Sequence, residues 1–330
     1  MAIPFIIGAV AVYGGGKTIS ALDDMDTAKS INREAQEIAD NATSRRERTR
    51  KSTNASLENL GKTKISIMKD NMKTFVDSFS KLKNVRNFKN SVMLDELSNF
   101  NPQSKEFLDM KNASFKASEL ASGGMGSIAA GTLTAAGAYG AVGAFATAST
   151  GTAIAGLTGA AATNATLAWL GGGAIAAGGG GVAAGTMVLG GLVAAPALVV
   201  AGLFLGDKAE TALNDARSNR DKARKYEQEV RNLCSAMDAI KEKTIQIDDL
   251  LKKLDSKFSP AVSNMVNAIR YFGTDFSKFS TMAQDEVGIA MNLAKTIKTV
   301  IDTPLMNQQG ELSYEAQNLL TSRKIKVLLD

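Results

Sequence analysis

The sequence lacks histidine entirely and has a single cysteine among its 330 residues. Histidine is the commonest general acid or base near neutral pH, and with cysteine it supplies most ligands of structural zinc. Catalytic triads that depend on histidine, and the usual zinc and haem sites, are therefore excluded. A disulfide within the chain is excluded as well, because Cys234 has no second cysteine to pair with. We accordingly expect a protein that is not an enzyme, with no catalytic residues, no cofactor and no metal site.

Charged residues are missing from one long stretch of the chain. Residues 120–206 contain no Asp, Glu, Lys or Arg, although these four residues make up 22% of the sequence. The stretch consists mainly of Ala and Gly. This distribution predicts four parts, which are an N-terminal apolar segment with a Gly hinge (1–18), an N-terminal helical flank (19–118), a Gly/Ala block (119–206) and a C-terminal helical flank (207–330).

Prolines and aromatic side chains are scarce, at five prolines and 6% aromatic residues, which disfavours a β-sandwich or barrel. Apolar residues instead recur every three or four positions in Leu22–Ala42 and Leu57–Leu82. In Ala223–Phe258 the steps of three and four alternate over five heptads. These patterns predict long helices, the first running from about Lys17 to Val85 with a weak point at Gly61.

Proline and loop signals predict where the later helices begin and end. Pro260 should end the second long helix and start another, because proline suits the first helical turn. A last helix should run from about Ser313 to Leu329. The predicted fold is all-α, a long antiparallel coiled coil or helical bundle with a Gly/Ala-rich hydrophobic hairpin. In that arrangement Phe75 faces Met237 or a near neighbour.

The Gly/Ala block has three interpretations that remain open: a membrane-inserted hairpin, a helical hairpin buried inside a soluble bundle, and a flexible low-complexity segment. A spanning helix needs about 20 apolar residues. Residues 125–146 and 182–205 supply two such stretches, joined by the more polar residues 147–181. Two spans place both flanks on one side of the membrane. We favour the membrane hairpin, and a protein that switches from a soluble to an inserted form would satisfy the first two interpretations.

The second apolar stretch carries the candidates for membrane insertion: Met187, Leu189, Gly190, Gly191, Leu192, Val193, Leu198, Val199, Val200, Leu203 and Phe204. Small residues four apart form a glycine zipper that lets helix backbones pack closely in lipid. The candidates for this packing are Gly181, Gly185, Gly202 and Gly206. A polar tip or lining is predicted from Thr150, Thr152, Thr163, Asn164 and Thr166.

The N-terminal apolar run, Ile3–Tyr13, is too short to span a bilayer. No basic residue precedes it and no cleavage site follows it, so we expect no secretory signal peptide. It either dips into the membrane interface or packs as a buried anchor. Ala11–Thr18 fits a relaxed phosphate-loop pattern, but the alternating strands and helices of such a fold are missing, which favours a Gly hinge.

A basic cluster lies in Arg45–Lys51, interrupted by Glu47. It is either a solvated helix face or a contact for anionic lipid or another polyanion. The net charge of only +5 and the absence of interleaved aromatic residues argue against specific nucleic-acid binding.

The run from Gly151 to Gly173, which begins GTAIAG and ends WLGGG, continues in GGLVAAPAL from Gly190 to Leu198. It resembles the core of a bacterial family in which a glycine-rich segment lies between two coiled-coil flanks. The layout is also similar to α-helical pore-forming toxins of the haemolysin E class and to apolipoprotein L, where a hydrophobic hairpin interrupts amphipathic helices. The first resemblance implies an architecture without an activity, and the second implies membrane insertion.

From these features we expect a membrane-inserting, oligomerising helical protein that forms pores as a toxin-like, defence or stress effector. Its partners would be lipid and further copies of itself, with no small-molecule substrate. We place it at the bacterial inner membrane with both flanks in the cytoplasm, and leave non-classical export open. The alternative is a membrane-anchored coiled-coil scaffold that recruits partners without permeabilising the bilayer.

Overall fold

The computed structural model describes residues 18–85, 100–122, 209–305 and 312–322, together with 325, 327 and 328. Nearly all of these residues are helical, and no β-strand occurs among them. The prediction of an all-α fold is confirmed for this part of the chain. The described helices are α1 (Thr18–Ile67), a π-helical turn (Met68–Met72), α2 (Lys73–Phe79), α3 (Lys105–Ala121), α4 (Ala209–Phe272), α5 (Thr281–Asp302) and α6 (Tyr314–Leu319).

The predicted first helix is confirmed, since α1, the π turn and α2 follow one another without a break from Thr18 to Phe79. Gly61 does not interrupt it. Gly61 is buried beside Leu60, and tertiary packing outweighs the roughly 1 kcal/mol by which glycine disfavours a helix. The π turn was not predicted. It inserts an extra residue between the buried side chains of Met68 and Met72.

The prediction that Pro260 ends a helix is wrong, because α4 continues through it for a further 12 residues to Phe272. The proline ring is on the exposed side of the helix. There the carbonyl group that loses its N–H partner faces water, and the helix can bend away from the ring. The neighbouring residues Phe258 and Val262 are buried and hold α4 against the core.

The chain divides into two compact units, and each long helix contributes to both. Their described parts are residues 18–48 and 209–235, called here the helix-pair unit, and the described residues of 49–122 and 236–328, called the bundle unit.

The helix-pair unit consists of the first part of α1 beside the first part of α4. The Asn219 amide nitrogen donates to the Asn32 amide oxygen at 3.0 Å, and further along both helices Tyr226 hydroxyl lies 3.1 Å from Thr43 hydroxyl. Residue numbers therefore rise together on the two helices. The pair is parallel, and the prediction of antiparallel flanks is wrong. A heptad stripe specifies a packing face but is the same for either direction.

In the bundle unit, α1 and α2 also run parallel to α4. Asn71 donates to Asp255 at 2.9 Å, and the rings of Phe75 and Phe258 are 5.8 Å apart between centroids. The predicted pairing of Phe75 with Met237 is therefore wrong, since the Met237 carbonyl accepts instead from Thr53, at 3.2 Å.

The other two helices of the bundle unit run in the opposite direction. Helix α3 starts where Phe107 packs on Phe79, with 5.5 Å between ring centroids, and it reaches back to the π turn. Helix α5 starts where Glu286 accepts from Asn264, at 2.9 Å, and ends at Asp302, close enough to Lys64 of α1 to influence its charge. In the bundle unit, the helices therefore alternate in direction along the chain: α1 with α2 and α4 run one way, and α3 and α5 run the opposite way.

Serine side chains begin three of the helices. Ser104, Ser280 and Ser313 each accept a hydrogen bond from a backbone N–H three residues later, which caps α3, α5 and α6. At the C-terminal end of α4, Gly273 adopts a φ of 82°. This left-handed conformation favours glycine and ends the helix. The predicted last helix is interrupted, because α6 ends at Leu319 and helical backbone resumes at residues 325, 327 and 328 of the described chain.

Candidate functional site

The residues predicted to enter the membrane lie outside the described residues. This applies to the insertion candidates between Met187 and Phe204, to the packing glycines 181, 185, 202 and 206, and to the polar candidates between Thr150 and Thr166. It applies equally to the N-terminal run Ile3–Tyr13. Their predicted roles stay predictions, and the structure instead describes the helices to which these sequences are joined.

The helix-pair unit holds two of those junctions. Residues 1–17 lead into α1 at Thr18, and the Gly/Ala block leads into α4 at Ala209. Both helix starts precede the Asn32–Asn219 contact, by 14 and 10 residues respectively. Because the two helices are parallel, both apolar sequences join the helix pair at the same end.

Small side chains form most of the apolar interface in the helix-pair unit. The buried residues are mostly alanine: Ala28, Ala35, Ala39 and Ala42 on α1, and Ala216 and Ala223 on α4. Burying one methyl group stabilises by roughly 0.8 kcal/mol, against about 1.5–3 kcal/mol for a large apolar side chain. The alanines let the helices approach closely, but they bury little apolar area.

A partly buried asparagine pair lies within this alanine interface. Asn219 is 7% exposed, and its amide group bonds to Asn32 on the facing helix. Asparagine at such a position of a parallel helix pair fixes register and direction at a cost in stability, because only one alignment pairs both amides. The stripe Ala216, Asn219, Ala223 in the sequence already contained this signal, but our sequence analysis missed it.

Charged contacts flank the asparagine pair on the outside. Glu34 is 3.1 Å from Arg224 and 3.7 Å from Arg220. The Glu34 and Arg224 side chains are about half exposed, so the ion pairs are screened by water and contribute at most about 1 kcal/mol. They support the register without adding much stability.

The predicted basic cluster does not form one solvated face. Arg45 and Arg48 are exposed, but the Arg46 side chain is only 15% exposed and its guanidinium lies 3.2 Å from the Glu47 carboxylate. Arg46 therefore belongs to an intramolecular ion pair. Cys234 is buried, at 6% exposure.

The bundle unit has a buried amine that our sequence analysis also missed. Lys64 is 3% exposed, and burial lowers its pKa from 10.5 to about 7, while the Asp302 carboxylate opposes this effect. Asp302 in turn forms an ion pair with Lys298. Lys64 occurs four residues after Leu60 and four before Met68, so a lysine within the apolar stripe was visible in the sequence. Its burial leaves no surface for a substrate.

The described part of the chain lacks two further kinds of site. No described helix combines the length and the apolar character needed to cross a bilayer. The described residues also contain no group of three carboxylate or cysteine side chains placed to hold a metal ion.

The comparisons with known proteins add no relative. No protein-family model matches the chain, and neither the curated proteins nor the solved structures include a match. The resemblance to a bacterial family with a glycine-rich core therefore stays a prediction.

Proposed function

We propose that this protein inserts its Gly/Ala block into a lipid bilayer, assembles with further copies of itself there and forms a pore. The proposed function involves no enzymatic activity. The described helices form the body that carries the block, and the coiled-coil flanks and Gly/Ala hairpin of the sequence prediction belong to this proposal. The site of action would be the bacterial inner membrane, with both flanks on the cytoplasmic side.

The observation that carries the proposal is the parallel direction of the helix pair. It joins the N-terminal apolar run and the C-terminal end of the Gly/Ala block to one end of the pair, at Thr18 and Ala209. The N-terminal apolar run and the C-terminal end of the block thus join the same end of the helix pair, whereas the start of the block follows α3. An interfacial N-terminal run beside an inserted hairpin would then meet the same membrane surface.

The packing of the described helices supports the proposal that the Gly/Ala block, and not these helices, enters the membrane. The apolar stripes of α1 and α4 are buried within the protein, as at Leu60, Leu251 and Phe258. These helices therefore keep no continuous apolar face for lipid, whereas residues 120–206 have no charged residue to keep them in water. Membrane affinity is assigned to the block on this ground.

The second candidate function, a membrane-anchored scaffold, is favoured by side chains on the outer faces of the bundle unit. Leu108 and Phe115 are 44% and 59% exposed and lie seven residues apart on one face of α3. An exposed apolar face of this kind suits a partner helix. A scaffold and a pore differ in one measurable property, because the scaffold binds the bilayer without making it leak.

The first test mixes the purified full-length protein with dye-loaded liposomes and records both co-sedimentation and dye release. We expect binding accompanied by release. Binding without release would overturn the pore and leave the scaffold, and no binding to any bilayer would overturn both functions.

Two substitutions sharpen this test. Leu192→Arg puts a charge near the centre of the second apolar stretch, which costs about 2.5–3.5 kcal/mol on insertion scales and should weaken binding by roughly 10²-fold. Gly191→Ile adds bulk without charge, so it should preserve binding and impair release by disturbing helix packing. A thermal melt in water is the control, because it shows whether each variant is still folded before it meets the liposomes. Unchanged binding and release by Leu192→Arg would contradict insertion of this stretch.

A further inference from the structure

We infer that the helix-pair unit is an opening clasp: residues 18–48 and 209–235 separate when the protein meets a bilayer, while the bundle unit stays folded. This inference rests on the proposed function, because separation frees the common end from which both apolar sequences leave.

The interior of the helix-pair unit is suited to separation. Its buried apolar side chains are mainly alanines, which lose little apolar contact when the helices part. The largest buried side chain there, Tyr226, keeps a polar end that bonds to the exposed residue Thr43. Water can replace each of the interhelical hydrogen bonds and ion pairs after separation.

The bundle unit has an interior of the opposite kind. Phe75, Phe79, Phe107, Phe258 and Phe276 are all at most 1% exposed. The first four rings form a connected series, with centroids 5.4 Å apart for Phe75 and Phe79, 5.5 Å apart for Phe79 and Phe107 and 5.8 Å apart for Phe75 and Phe258. Phe276 packs on Phe279 instead. Parting these helices would expose large aromatic surfaces to water.

The asparagine pair gives the clasp a defined closed state. Because Asn32 and Asn219 bond only in one alignment, the helices can part and close again in the same register. Helices α1 and α4 both continue into the bundle unit. The two helical segments of the clasp therefore stay tethered by the chain when they separate. Opening therefore needs no unfolding of the bundle unit.

The test compares two reversible locks in the full chain, both in a Cys234→Ser background. One lock is the pair Asn32→Cys and Asn219→Cys across the clasp. The matched lock is Asn71→Cys and Asp255→Cys across the bundle unit, at another hydrogen-bonded side-chain pair. Each protein is oxidised to its disulfide, added to dye-loaded liposomes and then reduced.

We expect the oxidised clasp lock to abolish dye release and reduction to restore it, while the oxidised bundle lock releases dye as fast as its reduced form. Equal release by the oxidised and reduced clasp locks would overturn the inference. Loss of release in the oxidised bundle lock would overturn it as well, because the bundle unit would then have to open too.

Failure of the proposed function is recognised separately, as an absence of dye release from the Cys234→Ser parent. In that case amide hydrogen exchange tests whether the clasp opens, because it does not depend on dye release. On addition of liposomes, exchange should accelerate in residues 24–48 and 212–235 and stay slow around Phe75 and Phe258. Unchanged protection of the clasp in the presence of bound liposomes would overturn the inference.

Discussion

Lys64 places an ionisable amine in the apolar interior of the bundle unit, with Ile65 and Met68 buried beside it. Its pKa of about 7 is well below the ordinary value of 10.5, so the folded protein holds this proton less tightly than the unfolded chain does. Between about pH 7 and 10.5 unfolding therefore takes up a proton, and the contribution of Lys64 to stability rises with pH across that window. Below about pH 7 the amine is charged in both the folded and the unfolded state, and its burial then lowers the stability of the folded protein most.

The first prediction at the residue scale is that Lys64→Met stabilises the protein at pH 7, by about 1–4 kcal/mol. Asp302 keeps its ion pair with Lys298, so the substitution leaves no isolated buried charge. Denaturant unfolding at pH 7 and pH 10 should show a smaller gain at the higher pH. Lys62→Met, at the more exposed lysine paired with Glu58, is the control and should change little. A destabilised Lys64→Met protein at pH 7 would contradict the assignment.

The asparagine pair allows a second prediction at this scale. A double-mutant cycle of Asn32→Ala and Asn219→Ala should give a coupling energy of about 0.5–1.5 kcal/mol, the net contribution of one hydrogen bond. Thermal unfolding followed by circular dichroism supplies the four stabilities. The same cycle on the more exposed pair Glu34 and Arg224 should give a coupling below about 1 kcal/mol. No measurable coupling between Asn32 and Asn219 would contradict the role of this pair in register.

At the scale of elements, the sequence predicted the existence of the two long helices and the extent of the first, but not the C-terminal end of the second. The burial of Leu57, Leu60, Leu251 and Leu254 follows the spacing of three and four that indicated these helices. Helix continuity at Pro260 was not predictable from local rules, because it depends on the exposure of the ring. Local pattern fixes which face of a helix is apolar, and the surroundings decide whether a helix breaker is tolerated.

Helix α3 was overlooked although its sequence carries a start signal. Ser104 caps it, and Phe107, Met110, Ala113 and Ala117 recur every three or four residues and are buried. The π turn has no comparable signal, since an extra residue in a helix is accommodated by the packing of neighbouring helices. Helix α3 contacts this turn.

At the scale of the whole molecule, direction was the feature that the sequence could not supply. The heptads of α1 and α4 fit either a parallel or an antiparallel partner, and the single block that separates two long heptad stretches favoured the antiparallel arrangement. In each unit two successive contacts with rising residue numbers establish the parallel direction. They are Asn32–Asn219 and Thr43–Tyr226 in the helix-pair unit, and Asn71–Asp255 and Phe75–Phe258 in the bundle unit. This direction is what joins both apolar sequences to one end of the helix pair.

The most direct test of the central claim asks whether the Gly/Ala block lies in lipid. Trp169 is the only tryptophan of the chain, so Trp169→Phe removes the background signal. In that background, Leu192→Trp reports on the block and Phe115→Trp, at a site 59% exposed on α3, is the control. The measurement is tryptophan quenching by lipids brominated on their acyl chains. We expect strong quenching of Leu192→Trp and little quenching of Phe115→Trp in bound protein. Equal weak quenching of both would contradict the insertion of the Gly/Ala block into lipid.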